Sequence, residues 1–139
     1  MTHLGLEVTT DSALSLIVTC LISATVLAWI GWGGSTGRLK ANPIAGIRIG
    51  QSTPGQWRAS HRAAAPWLVA SVVAAVLGAG LAGLCLWQDW YAPVLPYWLA
   101  MSGEILALLA LIPAVYAANR AMVQTRREEE RAHRSHRSF

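Results

Sequence analysis

This sequence carries little charge. Only 13% of its 139 residues are charged, whereas a soluble domain usually carries about 25%. The scarcity is local, because Asp, Glu, Lys and Arg are absent from residues 12–37 and 63–88, and residues 90–119 contain only Glu104. Three such runs exclude an ordinary soluble domain, since too little polar surface would remain to cover them.

Each of these runs is long enough to cross a bilayer. A helix of about 20 mostly apolar residues spans the hydrocarbon core. We therefore predict an all-α integral membrane protein with three transmembrane helices, at about 14–32, 66–87 and 96–118, in a membrane domain at 13–119. The residues ahead of the first span include acidic ones and no Lys or Arg, the opposite of a signal peptide's basic start, so we expect this span to be retained.

The basic residues predict the orientation in the membrane. All 11 Lys and Arg lie in the loop at 33–65 or in the tail at 120–139. With three spans these segments share one side, and the positive-inside rule places that side in the cytoplasm. We expect a multi-pass protein of the cell membrane, with residues 1–12 outside and a tail that is partly helical and then disordered. The net charge of +4 then suits anionic lipid headgroups and does not require nucleic acid.

The rarity of cysteine and the absence of catalytic motifs exclude several functions. Cys20 and Cys85 lie at different depths of the predicted spans, so we expect no disulfide. No Cys/His group has the spacing of a zinc site. The sequence also has no nucleophile–base pair and no phosphate-binding glycine loop. We expect no enzymatic activity, no metal and no cofactor.

Small residues predict how the spans pack. The second span has two adjacent rows of Ala, Gly and Ser, four residues apart, which would let helix backbones approach closely in lipid. We expect this span to be the middle helix, contacted by both others, although alanine richness alone would produce such rows by chance. The rows are Ala70, Ala74, Gly78 and Ala82, and Ser71, Ala75, Ala79 and Gly83.

Glu104 is the one acidic or basic residue inside a predicted span. A carboxylate there is costly, so we expect it to be neutral, hydrogen-bonded or open to a wet crevice. Two interpretations stay open. Glu104 is a site for a proton, a cation or a partner, or it is a neutral acid that bonds to Ser102, Thr19 or Ser23 as part of helix packing.

The loop between the first two spans carries the signs of a helix start. Thr53 is suited to cap a helix, Pro54 to its first position, and Gln56 completes a Thr-x-x-Gln capping box. We predict a turn-rich segment followed by an interfacial helix, with a bend at Pro66 before the second span. Trp57 would anchor this helix at headgroup depth, and the arginines would face phosphates.

The same loop supplies candidate residues for binding a lipid headgroup or a partner. Arginine suits an anionic group because its planar fork donates two parallel hydrogen bonds. Asn42 and Gly46 would fix the turn that aims Arg48. The alternative, that these basic residues only enforce topology, stays open. The candidates are Asn42, Gly46, Arg48, Trp57, Arg58, His61 and Arg62.

The stretch GRLKANPIAGIRIGQSTPGQWRASHRAAAP resembles the signature of the SdpI family, bacterial membrane proteins named for an immunity protein. The resemblance covers about 24–119. The chain departs from the family at Ile47, where an aromatic residue is common, and in having one span ahead of the signature where the family's namesake has more. The matching residues are Gly37, Asn42, Gly46, Arg48, Thr53, Trp57, His61 and Arg62.

The resemblance implies an immunity- or signalling-type membrane protein. Such a protein would bind a toxin peptide, a repressor or a membrane-protein partner at its cytoplasmic face. The residues themselves keep two other functions open. One is an accessory subunit of a larger membrane assembly, packed through the small-residue face of the second span, and the other is a small transporter that uses Glu104.

Overall fold

Three long helices make up nearly all of the chain that the computed structural model describes, residues 9–36, 53–88 and 94–136. Helix α1 is Thr10–Ser35, α2 is Pro54–Trp87 and α3 is Val94–His136. The predicted all-α fold is confirmed, and each of the three helices is long and apolar enough to cross a membrane. The tail, predicted to be partly helical and then disordered, is helical to His136, and residues 137–139 lie outside the described residues.

The predicted interfacial helix is wrong as a separate element. Its residues, 54–65, form the first turns of α2, which continues without a break through Pro66 to Trp87. Proline has no N–H and so removes one backbone hydrogen bond, but neighbouring helices allow a membrane helix to tolerate this loss. The turns that carry Arg58 and Arg62 therefore continue directly into the predicted second span.

Side-chain caps fix the starts of α1 and α2. At α1, the backbone N–H of Ser12 donates to Thr9 Oγ1 at 3.2 Å, and the N–H of Thr9 donates to Ser12 Oγ at 3.0 Å. At α2, the N–H of Gln56 donates to Thr53 Oγ1 at 3.2 Å, and the N–H of Thr53 donates to Gln56 Oε1 at 3.4 Å. The second pair confirms the predicted capping box.

The described residues belong to two compact units, and the first comprises 9–26, 70–88 and 94–109. Small side chains fill its core, so helix backbones approach closely. A Cβ added at Gly78 would lie 2.7 Å from the Cα of Gly103. This contact agrees with the predicted packing of the small-residue rows. The buried core residues are Cys20, Ala24, Ala75, Ala79, Ala82, Ala100 and Ala107.

Helix α1 also contacts α3 directly within this unit. The thiol of Cys20 donates to the Ala100 carbonyl oxygen at 3.5 Å. Between α2 and α3, the buried hydroxyl of Ser71 donates to the Ala107 carbonyl oxygen at 2.9 Å. Helix α2 is thus contacted by both other helices, as the sequence predicted, and those two helices also touch each other.

The second unit comprises residues 27–36, 53–69 and 110–136 of the described chain. Here α1 packs on α2 through glycines, with Gly31 against Leu68 and Gly34 against the ring of His61. Large aromatic side chains stay exposed around this unit, as expected of a belt at the membrane–water interface. They are Trp29, Trp32, Trp67 and Tyr116.

Candidate partner-binding face

The first turns of α2 carry the part of the predicted site that the structure describes. Trp57, Arg58, His61 and Arg62 lie there, on two adjacent rows of the helix. The other predicted site residues, Asn42, Gly46 and Arg48, lie outside the described residues. The described half of the site is therefore the half on α2.

Trp57 and His61 form the inner of the two rows. Their ring centroids lie 4.2 Å apart, and Nδ1 of His61 donates to the carbonyl oxygen of Trp57 at 3.1 Å. The His61 ring packs so closely on Gly34 of α1 that a Cβ at Gly34 would collide with it. The indole Nε1 of Trp57 is buried and has no hydrogen-bond partner, an arrangement that costs about 1–3 kcal/mol.

Arg58 and Arg62 form the outer row, and both are exposed. Residues four apart on a helix are neighbours, with Cβ atoms about 5–6 Å apart, and like charges at this spacing repel each other. No carboxylate in the described ranges forms an ion pair with either arginine; the recorded pair there joins Arg126 and Glu130. The outer row thus presents two adjacent positive charges without a described counter-ion.

Glu129 of α3 fixes the start of α2, and sequence reasoning missed it. One carboxylate oxygen accepts from Thr53 Oγ1 at 2.9 Å, and the other accepts from Gln56 Nε2 at 2.7 Å. Gln56 is only 6% exposed. A carboxylate at a helix N-terminus is also favoured by the helix dipole. The capping box and Glu129 together hold the first turn of α2 in place.

One signal in the sequence could have found this contact. Gln56 lies ten residues before the predicted start of the second span (66 to 56), and Glu129 lies eleven after the predicted end of the third (118 to 129). If both helices continue past the bilayer as an antiparallel pair, these residues meet at the same height.

Glu104 has one partnered and one unpartnered oxygen. Ser23 Oγ of α1 donates to Oε1 at 3.0 Å, whereas Oε2 is buried without a hydrogen-bond partner. Of the three predicted partners, Ser23 is the one used. Thr19 donates instead to the Ser15 carbonyl oxygen, and Ser102 donates to that of Trp98.

Comparisons with protein-family models, with curated proteins and with solved structures found no match. The resemblance to the SdpI family is untested by them and stays a prediction. In the described ranges, no three or more His, Cys, Asp or Glu side chains are grouped so that they could hold a metal ion.

Proposed function

We propose that this multi-pass membrane protein binds a partner through an anionic group, at the exposed arginines that begin α2. The partner binding is of the immunity or signalling type that the SdpI resemblance implies, at the cytoplasmic face. One observation carries the proposal: Glu129 accepts hydrogen bonds from Thr53 and Gln56, and so holds in place the helical turns on which Arg58 and Arg62 lie.

A fixed pair of arginines is suited to an anionic ligand. Two guanidinium groups on successive turns repel each other, and an anion placed between them removes that repulsion. Each guanidinium can donate two parallel hydrogen bonds to a phosphate or carboxylate. Because the helix start is clamped, less conformational entropy is lost when the ligand binds.

The position of the arginines along α2 also supports the proposal. Trp67 is 43% exposed, and exposed tryptophans mark the headgroup level of a bilayer. At about 1.5 Å per residue, Arg62 lies about 8 Å and Arg58 about 14 Å beyond Trp67 along the helix. The anionic group is therefore a lipid phosphate or an acidic group of a protein that docks at the membrane surface.

Replacing arginine by lysine tests this function because charge, and with it topology, is kept. We expect the double variant Arg58→Lys/Arg62→Lys to lose about tenfold or more of a bound partner, since losing the bidentate geometry is worth about 1.4 kcal/mol or more. The matched control is Arg127→Lys/Arg134→Lys in the exposed tail.

The measurement is purification in mild detergent, followed by quantification of every copurifying protein and lipid. Nanodiscs with and without an anionic lipid distinguish a lipid headgroup from a protein partner. If the double variant retains the same lipids and proteins as the wild type, the arginines serve topology alone and the proposal fails.

A further inference from the structure

Glu104 lies in a part of the molecule that offers it no positive charge. The described residues of the first unit contain no Lys, Arg or His, and their other carboxylate, Asp11, lies in the exposed first turn of α1. An ionised Glu104 would therefore have one hydroxyl donor, Ser23, and the weakly donating thiol of Cys20 for its charge. A buried charge that nothing compensates costs several kcal/mol.

We propose that Glu104 is a proton-binding site, with the proton on Oε2 and Ser23 bonded to Oε1. Oε2 exposes less than 1 Å², so a metal cation or an ammonium group cannot reach it without moving the helices, whereas a proton can. The proton comes from water, and the only bond formed is the O–H bond of the neutral acid. This inference does not depend on the proposed function of the arginines.

The described neighbours of Glu104 suit a site that holds a proton better than one that passes it on. Helix α1 brings the hydroxyl of Ser23 and, beside the carboxyl, the thiol of Cys20. Helix α2 faces the adjoining turn of α3 with the backbone of Ala74 and Gly78, which do not titrate. These described neighbours include no second carboxylate and no imidazole or amine that could accept a proton from Glu104.

Binding or loss of this proton acts on the contact between α1 and α3. The Ser23–Glu104 bond and the bond from Cys20 to Ala100 both join these two helices. The neutral acid lets them stay packed. When Glu104 ionises, the charge on Oε2 faces only the weakly donating thiol of Cys20, so the packing of α1 on α3 is weakened and water is drawn in.

Infrared spectroscopy of the full chain in lipid bilayers tests the proposal directly. We compare the wild type with Glu104→Gln at neutral pH, where all other acidic residues are shared and cancel. A carboxylic-acid C=O band that is missing in Glu104→Gln supports the site. A carboxylate band in its place shows that Glu104 is ionised and overturns the proposal.

A second pair of variants tests the geometry. We expect Ser23→Ala to move the carboxylic-acid C=O band to higher frequency, because Oε1 loses its hydrogen-bond donor. Ser15→Ala removes an exposed hydroxyl from the same helix and should change nothing. Equal behaviour of the two variants would show that the Ser23–Glu104 pairing is wrong.

Discussion

The close approach of α2 and α3 gives a sharp prediction for one glycine. In Gly78→Ala, the added Cβ would lie 2.7 Å from the Cα of Gly103 and 3.0 Å from the carbonyl oxygen of Leu99. Ordinary contacts between carbon atoms are about 3.5–4.0 Å. Both neighbours are backbone atoms, so no side chain can rotate away, and α3 would have to move by about 1 Å.

The expected loss of stability follows from two opposing effects. Overpacking in a close-packed core usually destabilises a protein by about 1–3 kcal/mol. Replacing glycine by alanine in a helix stabilises the helix by about 1 kcal/mol. We expect Gly78→Ala to lower the free energy of unfolding by up to about 2 kcal/mol. Gly103→Ala should act alike, and the double variant should lose less than the two losses added together, because both substitutions separate the same pair of backbones.

The chain offers a matched control two residues away. A Cβ added at Gly80 meets nothing within 4 Å, so Gly80→Ala should be neutral or more stable by up to about 1 kcal/mol. The assay is unfolding in mixed micelles with increasing SDS, followed by circular dichroism. If Gly78→Ala is as stable as Gly80→Ala, the helices do not cross at Gly78 and Gly103.

Two further predictions concern the basic end of the protein and its orientation. Glu129→Ala should lower the free energy of unfolding by about 1–2 kcal/mol, because it leaves the buried amide of Gln56 without its acceptor. The control, Glu128→Ala, changes an exposed position and should have little effect. Equal losses in the two variants would contradict the hydrogen bond between Gln56 and Glu129. Cysteines placed at Ser52 and Asp89 test the topology with a thiol reagent that cannot cross the membrane. Only position 89 should react from outside intact cells, and reaction at position 52 alone would reverse the orientation.

The fold was largely predictable because the bilayer imposes a simple rule on sequence. A spanning segment must exclude charge over about 20 residues, and the uncharged runs mark all three helices. The capping box at Thr53 and Gln56 was also visible, because it depends on residues three apart. Both patterns are local, so they can be identified before any tertiary contact is known.

The parts of the candidate sites that depend on two helices could not be predicted in the same way. Gln56 and Glu129 are 73 positions apart, and they meet only because α2 and α3 continue past the predicted spans. Glu104 had three candidate hydroxyl partners, and the rotation of α1 about its axis selects Ser23. Neither the length of a helix beyond the bilayer nor its rotation is encoded in hydropathy.

The continuity of α2 through Pro66 shows how tertiary packing overrides a local signal. The residue before a proline is disfavoured in helical conformation, which favoured two separate helices that meet at this point. However, alanines at 63–65 favour a helix, and Ala64 and Ser60 are 7% exposed, so this stretch is packed within its unit. A positive-inside signal needs only charge near the membrane and would work equally well from a flexible loop. A continuous helix whose first turn is held by Glu129 also fixes the positions of Arg58 and Arg62. A binding site requires such fixed positions, whereas a topology signal does not.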